Sequence, residues 1–145
     1  MPLMLWILAL TVVFVEPSFD TTRQIRIDNT VSSAKAVGSD MLAVRNALAT
    51  YLQATPGASG QVSLTSLGLP TWLKPDQRIR VLAQSGQGYV YFVPDQPLAD
   101  LATMLGPGVS AMAGIARAGK LVSSGSTSTV TLPTSIPDQA IVLIV

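Results

Sequence analysis

The chain has 145 residues, 48% of them hydrophobic and 12% charged, with a formal net charge of +1. That length fits one domain and leaves no room for a second full core. Because cysteine and histidine are both absent, disulfide frameworks, thiolate zinc sites and histidine-based triads are excluded. The dispersed, near-neutral charge also excludes the concentrated basic face that a nucleic-acid binder needs.

Residues 1–15 read MPLMLWILALTVVFV, where Thr11 is the one plainly polar side chain. Such a run offers water no tolerable face, so a core or a membrane must take it. A helix from Pro2 to Val15 spans roughly 21 Å at 1.5 Å per residue, against about 30 Å of hydrocarbon. Continuing past Pro17 to Phe19 gives a short, bilayer-thinning span. Residues 1–19 are therefore expected to be a retained membrane anchor. Leu3, Leu5, Trp6, Ile7, Leu8, Leu10, Val12, Val13, Phe14 and Val15 would lie in lipid. The rival is a cleaved signal sequence, which has an apolar run of this length. It lacks support here in a basic leading region and in a small-x-small cleavage site around Glu16-Pro17-Ser18-Phe19-Asp20. Orientation stays open. Arg23 and Arg26 favour a cytoplasmic domain, whereas few lysines and many serines and threonines fit an exported one.

Asp20, Thr21 and Thr22 supply N-cap chemistry for a second helical stretch. From there to about Gln53, small or apolar residues recur at Ile27, Val31, Ala34, Val37, Met41, Val44, Leu48 and Tyr51 or Leu52. Steps of three and four make a narrow helical stripe. Arg23, Arg26, Lys35, Asp40 and Arg45 lie off it, and Gly38 is a possible break. The stripe is expected to pack on the domain's own sheet. A coiled-coil seam would need large residues throughout, and this one has Ala and Gly in its middle.

The loop Thr55-Pro-Gly-Ala-Ser-Gly60 ends the helix. After a short stretch from Val62 to Leu69, RIRVLAQ (Arg78 to Gln84) and YVYFV (Tyr89 to Val93) flank Ser85-Gly-Gln-Gly88. Their period-two alternation and the glycines predict a hairpin. Leu98 to Leu105 reads as a short amphipathic helix, stopped by Gly106-Pro107-Gly108. Gly114 to Val122 reads as a hairpin turning near Ala118-Gly119, with a helix as the alternative. Ser123 to Thr129 is a small-polar loop, Leu132-Pro133 and Ile136-Pro137 are extended, and Ala140 to Val145 is a buried terminal strand. The fold class expected is α+β. An N-terminal anchoring helix (1–19) continues into a long amphipathic helix (20–54) packed on a small antiparallel sheet (55–145).

No catalytic constellation stands out, and the chain is not expected to be an enzyme. Gly86-x-Gly88 lacks the third glycine and the Lys-Ser/Thr of a phosphate loop. Gly108-x-Ser110 lacks the second glycine of a nucleophile elbow. A Ser/Lys dyad is formally open to Lys35, Lys74 or Lys120, but each sits in a polar context where solvated charge is the default. Asp95 and Asp100 match neither a paired acid–base site nor a calcium loop. No metal, cofactor or nucleotide is implied. Tyr89 and Tyr91 share one strand face, with Val90 and Phe92 on the other. That Tyr-bearing face is the candidate partner-contact surface, and core filling is the plainer reading of the same residues.

An apolar helix continuing as an amphipathic one and leading into an antiparallel sheet resembles the type IV pilin plan. Leu67-Gly68-Leu69-Pro70 is similar to the G-x-L-P element of type IVb-like pilins. The departure from a processed major pilin is that Glu16 ends the apolar run and no processing glycine precedes it. Taken whole, the chain resembles the PilM family of the thin-pilus systems carried by conjugative plasmids. The residues that carry this are MPLMLWILALTVVFVEP, LAVRNALATYLQATPGASG, GQGYVYFVP and LPTSIPDQAIVLIV. The resemblance implies an accessory protein of type IV pilus biogenesis, in the pilin transport apparatus or basal body, with other pilus assembly proteins or pilins as partners. It implies a bacterial inner-membrane location with the C-terminal domain in the periplasm. The alternative is a minor pilin-like subunit that enters the fibre. The oligomeric state is not legible.

Overall fold

The computed structural model describes residues 18–95, 105, 112–123 and 129–145, with side chains from Ser33 onward. By its contacts the chain divides after Ser33, and the unit Ala34–Val145 holds the sheet. The long helix α1 spans Ser18–Ala54, two residues earlier than the Asp20 cap suggested and ending where expected. It runs through Gly38 without a break, because Ala, Leu and Met neighbours of high helix propensity flank it on both sides. Pro56 stops it: the residue before a proline is pushed out of the helical region. The Thr55 N–H donates to the Tyr51 carbonyl at 2.9 Å to close the last turn.

Within the sheet-bearing unit, Val37, Met41, Val44, Leu48 and Leu52 are the buried large apolar residues of the helix. They follow the steps of four and three read from the sequence. Ile27 and Val31, the start of the predicted stripe, lie outside the described side chains.

A 3-10 turn over Leu64–Leu67 follows the helix, capped by Ser63, whose Oγ accepts from the Thr65 N–H, and closed by Gly68 at φ 63. Among the described residues seven strands make one sheet: β1 (Gly60–Gln61), β2 (Arg80–Gln84), β3 (Gln87–Phe92), β4 (Ala113–Arg117), β5 (Lys120–Val122), β6 (Val130–Thr131) and β7 (Ile141–Ile144). Their order is β1-β2-β3-β7-β4-β5-β6, and every pairing is antiparallel. Both predicted hairpins form. Each turns on two residues of positive φ, Ser85 (53) with Gly86 (81) and Ala118 (49) with Gly119 (71). That is the pair a tight turn needs to match the twist of its strands. The β2–β3 turn is shorter than the Ser85–Gly88 loop expected, because Gln87 and Gly88 are already in the ladder opposite Gln84 and Ala83.

The sheet is buried on both faces. On one, helix residues meet Ile79, Val81, Val90, Phe92, Ile141 and Leu143. On the other, Leu82, Tyr89, Tyr91, Ala116, Leu121, Val142 and Ile144 are covered by Leu132, Ile136 and Ala140. The proline-bearing segment expected simply to be extended is thus a lid on the second face, held by turns in which Ile136 and Ala140 N–H groups donate to the Pro133 and Pro137 carbonyls.

Two expectations need correcting. A long helix on a small sheet with a membrane anchor is not the architecture: the sheet has seven strands and a core on each face. Period-two patterning missed β1 and β6 because each is only two residues long. Among the described residues no helix is long and apolar enough to cross a membrane. That finding overturns the inner-membrane location with a periplasmic domain. The anchor residues Leu3, Leu5, Trp6, Ile7, Leu8, Leu10, Val12, Val13, Phe14 and Val15 lie outside the described residues. So does the helix expected over 98–105, except for Leu105, which is buried in the first core.

Leu48 is 0% exposed, and Leu48→Ala should cost about 2–5 kcal/mol; an unchanged melting temperature would contradict this packing. A Cβ on Gly114 would stand 2.5 Å from the Val122 carbonyl oxygen, a backbone atom that cannot yield as a side chain can. Gly114→Ala should therefore cost about 1–3 kcal/mol, measured by chemical denaturation.

Candidate functional site

The polar chemistry of the described residues gathers where the loop before β2 returns to the sheet. In this loop the Asp76 N–H donates to the Asp40 carboxylate at 3.2 Å, tying it to α1. Asp76 then accepts from the Arg78 backbone N–H at 2.9 Å and from the Arg78 guanidinium, the shortest contact being Nη2 to Oδ2 at 2.8 Å. The other guanidinium nitrogen, Nη1, reaches Asp95 Oδ2 at 2.8 Å across the end of β3. The guanidinium carbon lies 4.9 Å from the centroid of the Phe92 ring, within cation–π range. One arginine thus joins the loop, the strand end and the segment after it.

The hydrogen bond from the Arg78 side chain, followed by that from its backbone N–H, holds Asp76 below the ordinary carboxylate range. Arg78 is pushed up in return, chiefly by its hydrogen bond to Asp76. Asp40, Asp76, Arg78 and Asp95 were not picked out by the sequence reading as a group. The signal was present in Pro75-Asp76-Gln77-Arg78, an acid placed to accept from the backbone two residues on. Arg78 entered that reading only as the first residue of a predicted strand, which begins instead at Arg80.

Beside this cluster a shallow groove of about 480 Å³ is lined by Arg78, Arg80, Tyr91, Val93, Thr134, Ser135 and Pro137. Its walls bring guanidinium and hydroxyl groups together, suited to holding a polar group by hydrogen bonds. Among the described residues no cluster of three or more acids could hold a metal ion.

The alternation that put Tyr89 and Tyr91 on one face is present, with Val90 and Phe92 opposite. That face is covered, however, and each tyrosine is 5% exposed. The Tyr89 hydroxyl donates to Gln87 Oε1 at 3.1 Å, and Tyr91 contributes to the groove wall. Among the described residues Trp72 is the most exposed large apolar side chain, at 78%. Lys35, Lys74 and Lys120 are all exposed. Asp100, Gly108 and Ser110 lie outside the described residues.

A family model described as PilM matches residues 9–144. A crystal structure of a PilM protein from Escherichia coli B7A is similar over 79% of this chain and 93% of its own, at 25% identity and a TM-score of 0.58. A PilM protein from Pseudomonas aeruginosa 2192 is 30% identical, over 77% of this chain and 92% of its own, with a TM-score of 0.47. No curated protein matches the chain significantly.

The Asp76 arrangement makes a pH prediction. Its folded pKa lies below the unfolded value of about 3.9, so its contribution is complete above that value and is lost as pH falls through the lowered one. Asp76→Asn should lower the melting temperature at pH 7, and the gap from the parent protein should close on acidification below about pH 4. A gap that stayed constant down to pH 2 would show that ionisation of Asp76 is not what stabilises the loop.

Proposed function

This chain belongs to the PilM family, and on that basis we propose that it is a non-enzymatic accessory component of type IV (thin) pilus biogenesis. Its work is to contact other pilus assembly proteins or pilins, in the pilin transport apparatus or the basal body. The observation that carries this reading is the family match, which runs over residues 9–144 and so takes in the helix and every strand. The likeness to the Escherichia coli PilM structure over nearly all of that protein's length supports it.

The non-enzymatic part rests on the side chains available. The chain has no histidine or cysteine, which leaves a Ser/Lys pair as the simplest route to nucleophilic catalysis. An exposed lysine is a poor base for that purpose, because a catalytic lysine needs burial to lower its pKa. Lys35, Lys74 and Lys120 are all exposed.

In a host that assembles thin pili, deleting the gene should abolish piliation, and the intact gene supplied in trans should restore it. Normal piliation in the deletion strain would refute the assembly role. The protein should be missing from sheared, purified fibres; its recovery there would make it a fibre subunit instead. Lys35→Ala, Lys74→Ala and the charge-preserving Lys120→Arg should all restore piliation, and loss of function by any one in a folded protein would reopen the enzymatic reading.

A further inference from the structure

The β4–β5 hairpin carries a surface that neither core uses. Its register puts Ile115 opposite Val122 and Arg117 opposite Lys120, and Lys120 in turn opposite Thr131 of β6. Residues directly opposite in an antiparallel pair share a face. Ile115, Arg117, Lys120, Val122 and Thr131 therefore form one continuous surface. Ile115 also stands opposite Ile141, so this is the sheet face on which the first core lies. Yet Ile115 and Val122 belong to neither core, and Val122 is 45% exposed.

The charges on this face are as unusual as its apolar pair. Arg117 and Lys120 meet across a turn of only Ala118 and Gly119, and like charges placed directly opposite destabilise a hairpin. No acid relieves them among the described residues, where both ion pairs belong to Arg78. Asp138 precedes Gln139, which donates its N–H to the Ala116 carbonyl at 2.9 Å. It makes no ion pair with either cation.

We propose that this face docks an acidic segment of another protein. Carboxylates of the partner meet Arg117 and Lys120, and an apolar side chain of the same segment covers Ile115 and Val122. Charge complementarity selects the occupant. A second copy using the same patch would bring cations to cations. An anionic bilayer is disfavoured because the turn offers only Ala118 and Gly119 to insert, and two cations attract such a surface weakly. That the partner is a pilus protein rests on the assembly reading above; the acidic character of its docking segment does not.

The test uses the full chain in a host whose piliation depends on it. Lys120→Glu removes the like-charge pair, so the purified variant should melt at the same temperature as the parent or higher. The same variant should reduce piliation by about tenfold or more, as loss of a docked charge pair does. The double variant Arg117→Lys with Lys120→Arg should piliate normally. A photo-crosslinking residue replacing Val122 should trap a protein through a segment with at least two Asp or Glu residues, and Lys120→Glu should abolish the trapping.

Full piliation by Lys120→Glu, where deletion of the gene abolishes pili, would overturn the docking surface and leave the assembly role standing. Should the deletion strain piliate normally, the assembly reading fails and the crosslink alone decides: an acidic segment supports the surface, and any other segment or no crosslink overturns it. Sedimentation of the parent protein, but not of Lys120→Glu, with phosphatidylglycerol vesicles would also overturn it, by making a membrane the occupant.

Discussion

The sheet is held together by its last strand. β7 lies at the centre of the strand order, with β1, β2 and β3 on one side and β4, β5 and β6 on the other. Neither three-stranded half pairs with the other except through it. Its four residues are buried on both faces, Ile141 and Leu143 in the helix-side core and Val142 and Ile144 in the opposite one. Such a strand needs unbroken hydrophobicity rather than alternation, which is what Ile-Val-Leu-Ile supplies. Its end is fixed three ways: the Ile144 N–H donates to the Met112 carbonyl, the Val145 N–H to the Gly88 carbonyl, and Arg45 Nε to the Ile144 carbonyl at 2.9 Å. β7 must thus be in place before the two halves can become one sheet, a non-local closure of the kind that slows folding.

That central strand also determines what each face can accept. On the helix side the approach is close at Gly88, where a Cβ would stand 2.7 Å from Leu48 Cδ2 and 2.8 Å from Leu52 Cδ1. A glycine in the ladder lets two leucines of α1 come down onto β3. On the other side the covering is thinner: three residues of one loop, Leu132, Ile136 and Ala140, close over Tyr89, Tyr91, Val142 and Ile144. The tyrosine pair is part of that second core, and its aromatic area serves stability. An open face on a sheet of this size would leave a contiguous apolar patch, and such patches are rare on proteins that do not use them for binding.

How much of this could be read from the chain follows from the range of each interaction. Hairpins are local, and Ser85-Gly86 and Ala118-Gly119 announced both of them. The helix was legible over Val37 to Leu52 because its burial repeats every three or four residues. What failed was whatever depended on partners distant in sequence. Two-residue strands have no period to detect, so β1 and β6 were invisible and the sheet seemed small. The loop 132–140 gave no sign that it would fold back over a sheet face, so the chain alone left Tyr89 and Tyr91 open between core filling and a partner-contact face. The Arg78 cluster joins residues from Asp40 to Asp95, and no spacing rule links a helix acid to a loop amide thirty-six positions later.

A sheet covered on both faces leaves recognition to its margins, and this determines where function can reside. The hollows lined by described residues are shallow and open, so selectivity there must come from loops, hairpin tips and uncovered strand ends. Those margins differ in how their charges are satisfied. Around Arg78, two carboxylates and an aromatic ring consume the cation, so the cluster is chiefly a brace that fixes the loop before β2. At the β4–β5 tip, two cations stand opposed with no ion pair among the described residues. A brace improves as its charges are matched internally, whereas a recognition surface keeps its charge available for a partner at some cost to stability. By that criterion the Arg78 cluster belongs to the architecture, and among the described residues the hairpin tip has the character of a recognition surface.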